Sequence, residues 1–497
     1  MYLALYLLAL AAVALYAPDA VWQPGTHEFF VILGVLGVWR YSWSTVHFVR
    51  SLIYRHHAFP VLRREADRTG EEALPSQVYI LISSFRIRGE TTVRAYQAAI
   101  AEAIRYGRPV TIVASLVELG DQRLIKHLFL QMAPPPQVRL MFVRRPAVGK
   151  RHSMACSLRA VSRCRPPADA AVMVLDGDTL LQPGCLSRSL PFLQLLPEVG
   201  GITTDEDCVV ESGPLLRAWH RLRFAQRHLL MSSMALSRRL LVLTGRMSIF
   251  RGAVATDPSF INAVEADYID HWRLGRVQLL TGEDKSTWFW LLNAGCRMLY
   301  LPDVQVTTIE HPPSQWLLTA STQLMLRWFG NMLRISFRAI ALGPRRVGFF
   351  TWWCLIDQRL SMWTPLFGPL VALFFAFGKS AIFLYTYALW VGFTRLIQAL
   401  SLLSVRPTIS GLYPVLIYFG QVYGALVKTY ILFRLDRQRW TRQNIAAQPQ
   451  LSPAKARMRS LMSIYLHGLA FGVLAAAVAL ATNLLSMPRF DALAGLF

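Results

Sequence analysis

Apolar residues run almost unbroken over residues 1–18 and 29–49, thin out, and return at 361–377, 380–402, 411–433 and 462–486. Between 76 and 310 no run approaches the roughly 20 apolar residues that a helix needs to cross a bilayer. There the apolar positions come in short β-like runs, "VYILISSF", "PVTIVASLV", "VRLMFV" and "AVMVLD", separated by amphipathic stretches. That alternation predicts an α/β domain around a mostly parallel sheet. The polar stretch 51–75, with "RHHAFPVLRREADRTGEEALP", reads as a linker, and 313–360 reads as amphipathic, basic helices lying on a membrane surface. The predicted order is two N-terminal membrane helices in 1–50, a linker over 51–75, a soluble domain over 76–312, interface helices over 313–360, two membrane helices in 361–402, and a last one at 462–486.

Composition agrees with a polytopic membrane protein. Of 497 residues, 54% are hydrophobic and 16% charged, and the mean hydropathy is +0.35. The opening "MYLALYLLALAAVALYAP" carries no basic residue ahead of its apolar run, so it reads as a retained helix rather than a cleaved leader. Net charge is +23, which fits anionic lipid headgroups or an anionic substrate. The membrane content argues against nucleic acid as a partner. Six cysteines show no metal-ligand spacing and read as reduced thiols. Arginines flank the soluble domain (Arg50, Arg55, Arg63, Arg64, Arg345, Arg346) and place it on the cytoplasmic side. The loop 434–460 is also basic. If every late apolar segment spanned, that loop would lie outside, so 411–433, with Gln421 and Lys428, is expected to be an interfacial helix.

Three short motifs carry candidate chemistry. "VLDGDT" puts Asp176 and Asp178 at the end of an apolar strand, and ligands of open α/β sheets bind at that edge. Two carboxylates there suit a hard divalent ion, Mg²⁺ or Mn²⁺, that keeps phosphate oxygens as further ligands. An Asp-Gly turn is the plainer reading of the same letters. "TGEDKSTW" offers Glu283 and Asp284 as proton acceptors, or simply as the first-turn acids of a helix. In "LMLRWFGN", Arg327 can bind a diphosphate and Trp328 can stack a sugar, and an interfacial Arg-Trp helix is the plainer reading.

In this order the motifs resemble the processive, inverting glycosyltransferases of family two, which include cellulose, chitin and hyaluronan synthases, and most of all the catalytic subunits of bacterial alginate synthases. The resemblance covers nearly the whole chain. It rests on "GVWRYSWSTVHFVR", "SSFRIRGETT", "HRLRFAQRHLLMSSMALSRRLLVLTGRMSIFR", "HWRLGRVQLLTGEDKSTWF", "EHPPS" and "LFRLDRQRWTRQ". It implies a GT-A fold between membrane helices. Ser83, Phe85, Arg86, Glu118 and Lys150 are implied for the nucleotide, with Asp176 and Arg327. Asp178 and Asp176 are implied for the metal, and Asp284, with Glu283 beside it, as the general base. Thr244, Gly245, Arg246 and Trp328 are implied for the acceptor, and Trp440, Thr441 and Arg442 for a gating segment. The family's Gln-x-x-Arg-Trp begins here with Leu324, and Gln323 stands one residue early.

The resemblance further implies GDP-mannuronate as donor, a β-1,4-linked anionic polysaccharide as product, and a bacterial inner-membrane location. It also implies an envelope export complex and a separate cyclic-di-GMP-binding PilZ-type regulator. Arg40 and Arg395, inside apolar helices, are candidate lining of an anionic export path, with snorkelling to headgroups as the alternative. Arg246, Arg151 and His152 are candidates for the donor carboxylate. The competing readings are a synthase of another β-linked glycan from a UDP-sugar, and an export scaffold with an inactive transferase domain.

Overall fold

The computed structural model describes residues 2–22, 27–146, 148–440, 445–447 and 452–485. It divides into two compact units, one built from 47–356 and 435–449, the other from 1–46, 357–434 and 450–497.

The described residues of the first unit hold the strands β1 (Val78–Ser83), β2 (Val110–Leu116), β3 (Val138–Arg144), β4 (Ala171–Asp176), β5 (Thr179–Leu181), β6 (Val199–Val210), β7 (Met247–Arg251), β8 (Tyr268–His271), β9 (Gly275–Gln278) and β10 (Arg297–Glu310), and a small antiparallel pair, Gln438–Trp440 with Ile445–Ala447. Eight form one sheet in the order β3-β2-β1-β4-β7-β6-β10-β5. The pairs β3-β2, β2-β1, β1-β4 and β6-β10 are parallel, and those involving β7 and β5 are antiparallel. This is the mostly parallel mixed sheet of a GT-A domain. β1, β2 and β4 are buried along nearly their whole length. Helices Gly89–Tyr106, Leu119–Met132 and Lys150–Arg163 connect the first four strands. Strands covered on both faces read as continuous apolar runs, which is why β1, β2 and β4 were legible.

Strand order reverses at β1. β2 and β3 lie on one side of it and β4 on the other. Ser83 pairs with Asp176 in the parallel register, so the ends of both strands open at the switch point, where open α/β sheets bind ligands.

Residues 51–75, expected as a linker, are mostly helical. Helix His27–Ile53 runs through a π-helical turn, Tyr54–Ala58, into helix Phe59–Thr69. The segment is polar on one side only. Tyr54, Phe59 and Ala66 are buried, and Arg63 donates to Asp303 and to the Arg188 carbonyl at 2.8 and 2.7 Å.

The second unit is helical, with Tyr2–Leu15, Thr364–Gly378, Ile382–Ser401, Tyr413–Leu432 and Pro453–Ala481. Val371, Ala372, Phe375, Phe383 and Val478 form a buried cluster within it. Among the described residues, Phe349–Gly378, Tyr413–Leu432 and Pro453–Ala481 are long and apolar enough to cross a membrane. The interfacial course expected for 411–433 rested partly on Gln421, and that ground is weakened. Its amide donates to Gln398 at 3.1 Å, so its polarity is satisfied by a neighbouring helix.

Arg40, on helix His27–Ile53, holds both carboxylate oxygens of Asp357, at 2.9 and 3.1 Å. Arg395 donates to Tyr41 and Thr394 at 3.3 and 3.1 Å. The Asp357 side chain is 6% exposed. Changing Arg40 alone to Leu strands that charge and should cost about 3 kcal/mol, at the low end for buried pairs because Arg40 is partly exposed. The double variant Arg40→Leu with Asp357→Leu should recover stability in thermal unfolding in detergent. Polymer output from that double variant then tests the export role, since full output removes Arg40 from the path.

Candidate functional site

A cleft of about 280 Å³ opens at the carboxyl ends of β1 and β4. β1 and the turn after it supply Ser83, Ser84 and Phe85, and the β4 turn supplies Asp176, Gly177 and Asp178. The start of helix Lys150–Arg163 adds Gly149 and Lys150, and the loop before β7 adds Gly245 and Arg246. Glu283 and Asp284 open helix Glu283–Ala294, while Arg327, Trp328 and Asn331 come from helix Leu317–Ala341. Three motifs spread over some 150 residues of sequence thus share one wall.

Local backbone chemistry explains each placement. A Cβ on Gly177 would lie 2.4 Å from Ser84 Oγ and 2.9 Å from the Ser83 carbonyl oxygen, so the turn between the two aspartates packs directly on the end of β1. Gly177→Ala should cost about 1–3 kcal/mol by overpacking and displace Asp178. The expected result is a lowered unfolding temperature together with reduced donor turnover. Gly282 precedes the acidic pair at φ 87°, a left-handed conformation that favours glycine, and starts the helix. Glu283 and Asp284 therefore are first-turn acids, where the helix dipole favours negative charge. The plainer reading of "GED", first-turn acids of a helix, holds, and both carboxylates also line the cleft.

Lys150 joins the motifs. Its Nζ lies 2.5 Å from Asp176 Oδ1 and pairs with Glu283 as well. Burial works against the lysine charge, yet the two carboxylates hold its pKa above the ordinary value. For Glu283, burial acts upward but Lys150, then Arg151, bring it down to about 2. For Asp176, burial pushes up, Lys150 opposes, and Asp178 and Glu283 push again, leaving about 6. Lys150 is thus shared by two carboxylates, and one lysine charge leaves negative charge that another cation can satisfy. Asp284 is raised by burial and then by Glu283.

The lining carries five carboxylates (Asp176, Asp178, Glu283, Asp284, Glu310) against three cations (Lys150, Arg246, Arg327). A hard divalent cation fits this surplus of oxygen donors. Among the described residues no group of three or more His, Cys, Asp or Glu side chains gathers to hold a metal by itself. A metal at Asp176 and Asp178 therefore needs oxygens from its substrate.

Trp328 lines the cleft and stacks on Trp219, with centroids 5.9 Å apart and planes 17° apart. Arg246 pairs with Glu310 at 2.6 Å and Glu206 at 3.3 Å. Burial opposes its charge, and Glu310 and Glu206 hold its pKa above the ordinary value.

Five expected site residues lie elsewhere. Arg151 is 4% exposed and spends its guanidinium on the Val264 and Thr281 carbonyls and Ser286 Oγ, at 2.9, 3.1 and 2.9 Å. It fastens the loop before Glu283 and does not line the cleft. His152 pairs with Glu265 at 2.9 Å, again off the wall. Thr244 is buried and donates to Glu206, so it supports Arg246 from behind. Arg86 and Glu118 are exposed beside the cleft, and their neighbours Phe85, Ile87 and Val117 line it. Of the gating residues, Trp440 ends the short strand Gln438–Trp440, and Thr441 and Arg442 lie outside the described residues.

The sequence reading missed Glu206, which accepts from Thr244, Arg227 and Arg246. The run "TDEDC" in the middle of β6 was its only signal. It also missed Gln438, which accepts from the Leu280 N–H at 2.9 Å and donates to the Gln278 carbonyl at 2.7 Å. Arg334 reaches the Leu435 carbonyl at 2.9 Å. The segment before the expected gate is therefore strapped to the loop that leads into Glu283.

Residues 75–331 match the family described as glycosyltransferase like family 2. A glycosyltransferase alg8 of Pseudomonas syringae pv. tomato is 47% identical over 439 residues, 88% of this chain and 89% of that one. A glycosyltransferase alg8 of Azotobacter vinelandii is 45% identical over 450 residues, 90% of this chain and 91% of that one. Among solved structures, a mannosyltransferase of Pyrobaculum calidifontis in complex with GDP-Man and Mn²⁺ is 17% identical, covers 80% of this chain and 97% of that one, and has a TM-score of 0.43. With its switch-point cleft, its paired aspartates and relatives of this identity over almost its full length, the chain belongs to the family-2 glycosyltransferases, in the company of the alg8 glycosyltransferases.

Proposed function

We propose that this glycosyltransferase transfers mannuronate from GDP-mannuronate to the 4-hydroxyl of a growing chain. The reaction inverts the anomeric centre and builds β-1,4-linked polymannuronate, the alginate precursor, which the enzyme passes across the bacterial inner membrane. The observation that carries the reading is the union of three motifs in one cleft. Lys150 bridges the paired aspartates to the Glu-Asp pair, and Arg327 and Trp328 stand on the same wall. The alg8 relatives, by their name, support an alginate product.

In this reading the nucleotide lies along the ends of β1 and β4, against Ser83, Phe85 and Lys150. Asp178, with Asp176, would hold Mg²⁺ or Mn²⁺, and the ion supplies charge neutralisation to the diphosphate leaving group. Lys150 and Arg327 offer fixed positive charge to the same group. Asp284 takes the proton from the acceptor hydroxyl, which attacks the anomeric carbon in line. Its raised pKa makes it a stronger base than an ordinary carboxylate. Trp328 holds the terminal sugar by its apolar face, and Glu283, ionised against Lys150, keeps that lysine charged.

The strap at Leu435–Gln438 supports a topology in which residue 435 lies on the same membrane face as the catalytic domain. That requires an even number of crossings between 349 and 435. The basic loop 434–460 supports the cytoplasmic face. The same strap is a natural place for a cyclic-di-GMP-binding PilZ-type partner to act on Glu283 and Asp284. The envelope export complex and membrane lipids complete the partners of this reading.

The test is nucleotide release and polymer formation in membranes given GDP-mannuronate with Mg²⁺ or Mn²⁺, beside UDP-glucuronate and UDP-glucose, with and without the regulator. Metal-dependent GDP release with an alginate-lyase-sensitive product is the expected result. Turnover with a UDP-sugar alone discards the donor and keeps the mechanism, and export without any turnover discards the enzyme.

A further inference from the structure

Asp176, Asp178, Glu283 and Asp284 line the cleft together with Lys150 and Arg327. Around its lining residues Arg246, Glu310 and Trp328, three arginines meet two carboxylates. Arg227 is tied to Glu206 at 2.6 Å, and Arg246 to Glu310 at 2.6 Å and Glu206 at 3.3 Å. The third, Arg223, makes neither an ion pair nor a hydrogen bond among the described residues. Its guanidinium instead lies against two indoles, 4.3 Å from the ring centroid of Trp328 and 5.2 Å from that of Trp219. His220, packed edge-on against Trp219 at 5.0 Å, adds no charge. Burial, and after it the balance of Arg246 and Arg223 over Glu310, brings its pKa down to about 4.

An unpaired guanidinium in such a place is expensive. Burial, then Arg246 and Arg227, pull the Arg223 pKa down to about 10, which still leaves it charged at neutral pH. Among the described residues only the two indole faces compensate it, and its planar fork matches a carboxylate. A pyranose stacked on an indole turns its C–H face to the ring and its substituents outward. A guanidinium held on the same indole is placed to meet one of them. We propose that Arg223 is a specificity residue that reads the carboxylate of the uronate stacked on Trp328 at the acceptor end of the cleft. This inference rests on the polyuronate reading above. It adds a reason why the acceptor, and not only the donor, must be acidic.

The experiment compares two acceptors in the same membranes with GDP-mannuronate: mannuronate oligomers, and the same oligomers with carboxyls reduced to primary alcohols. Elongation is followed as acceptor KM and kcat for the native chain, Arg223→Gln and Arg223→Lys. The native enzyme should prefer the acidic acceptor, and Arg223→Gln should shrink that preference on the order of 10- to 100-fold, the size of one charge-assisted hydrogen bond. The loss should appear in KM for the acidic acceptor. Arg223→Lys, which keeps the charge and loses the fork, should retain part of the preference. Equal losses with both acceptors would show that Arg223 only braces Trp328, and an unchanged preference would show that another group reads the acid, so either overturns the proposal. Failure of the native enzyme to release GDP from GDP-mannuronate is a different result, and it removes the donor reading instead.

Discussion

Asp284→Asn should abolish polymer formation while leaving a protein that is folded and at least as stable as the native one. General-base catalysis contributes about 10²–10⁴-fold, so elongation should fall by that factor and GDP binding should persist. The stability half of the prediction follows from the sign of the shift. Burial and Glu283 raise the Asp284 pKa above its unfolded value, so the folded state binds this proton more tightly than the unfolded chain does. Ionising Asp284 therefore costs stability. The cost is absent below the unfolded pKa and complete once the pH has risen through the folded one. Asparagine removes the charge and with it the cost, and thermal unfolding at neutral pH should show no loss. Activity has the opposite dependence on the same proton. The base works only when ionised, so elongation should fall as the pH drops through the raised pKa, giving an acid limb above the ordinary carboxylate range. Asp284→Glu should keep a limb, displaced, with low activity. An Asp284→Asn variant that elongates normally would take Asp284 out of the base role and leave Glu283 as the carboxylate to test next.

The parts of this architecture that were legible in the sequence are those where chemistry is local. β1, β2 and β4 show as apolar runs because they are buried along nearly their whole length, and Asp176 and Asp178 are visible because they end one of those runs. β6 and β10 were hidden for the converse reason. β6 carries Asp205, Glu206 and Asp207 in its middle, and all but the last are buried. The buried two are met from twenty to forty residues away, Glu206 by Arg227 and Arg246 and Asp205 by His228. A local pattern reads such a strand as a polar loop. β10 is broken by a register shift between Leu301 and Gln305, where Pro302 lacks the N–H that the ladder needs. The same distance effect explains Arg151. Beside Lys150 in sequence it resembles a substrate ligand, but helix geometry turns it inward to carbonyls of residues 264 and 281. The motifs pointed to candidate residues, and only the fold could tell which neighbouring charges are already spent.

Lys150 is where that distinction should show most strongly. Lys150→Met keeps the length of the side chain and removes the cation that, among the described residues, Asp176 and Glu283 share. Glu283 is buried, so its charge is left without its main compensation. Breaking a fully buried pair costs about 3–5 kcal/mol. Water in the cleft reaches Asp176, whose side chain is 29% exposed, so about 3 kcal/mol is expected, seen as a lowered unfolding temperature. With Lys150 gone, the Glu283 carboxyl should titrate above about 2 and Asp176 above about 6, because each loses the cation that held it down. Part of the stability should therefore return as the pH is lowered and these carboxyls take up protons. In the native enzyme the contribution of Glu283 is lost only lower, as the pH falls from the ordinary carboxylate range towards about 2 and protonation breaks its pair. Elongation should fall at least 100-fold at neutral pH, through the lost charge at the diphosphate and the disordered first turn at Glu283 and Asp284. Raising the Mg²⁺ or Mn²⁺ concentration should restore some stability to Lys150→Met, because a cation at Asp176 and Asp178 replaces part of the missing charge by mass action. A variant as stable as the native chain at neutral pH, and indifferent to metal, would mean that Lys150 does not join the two acidic motifs.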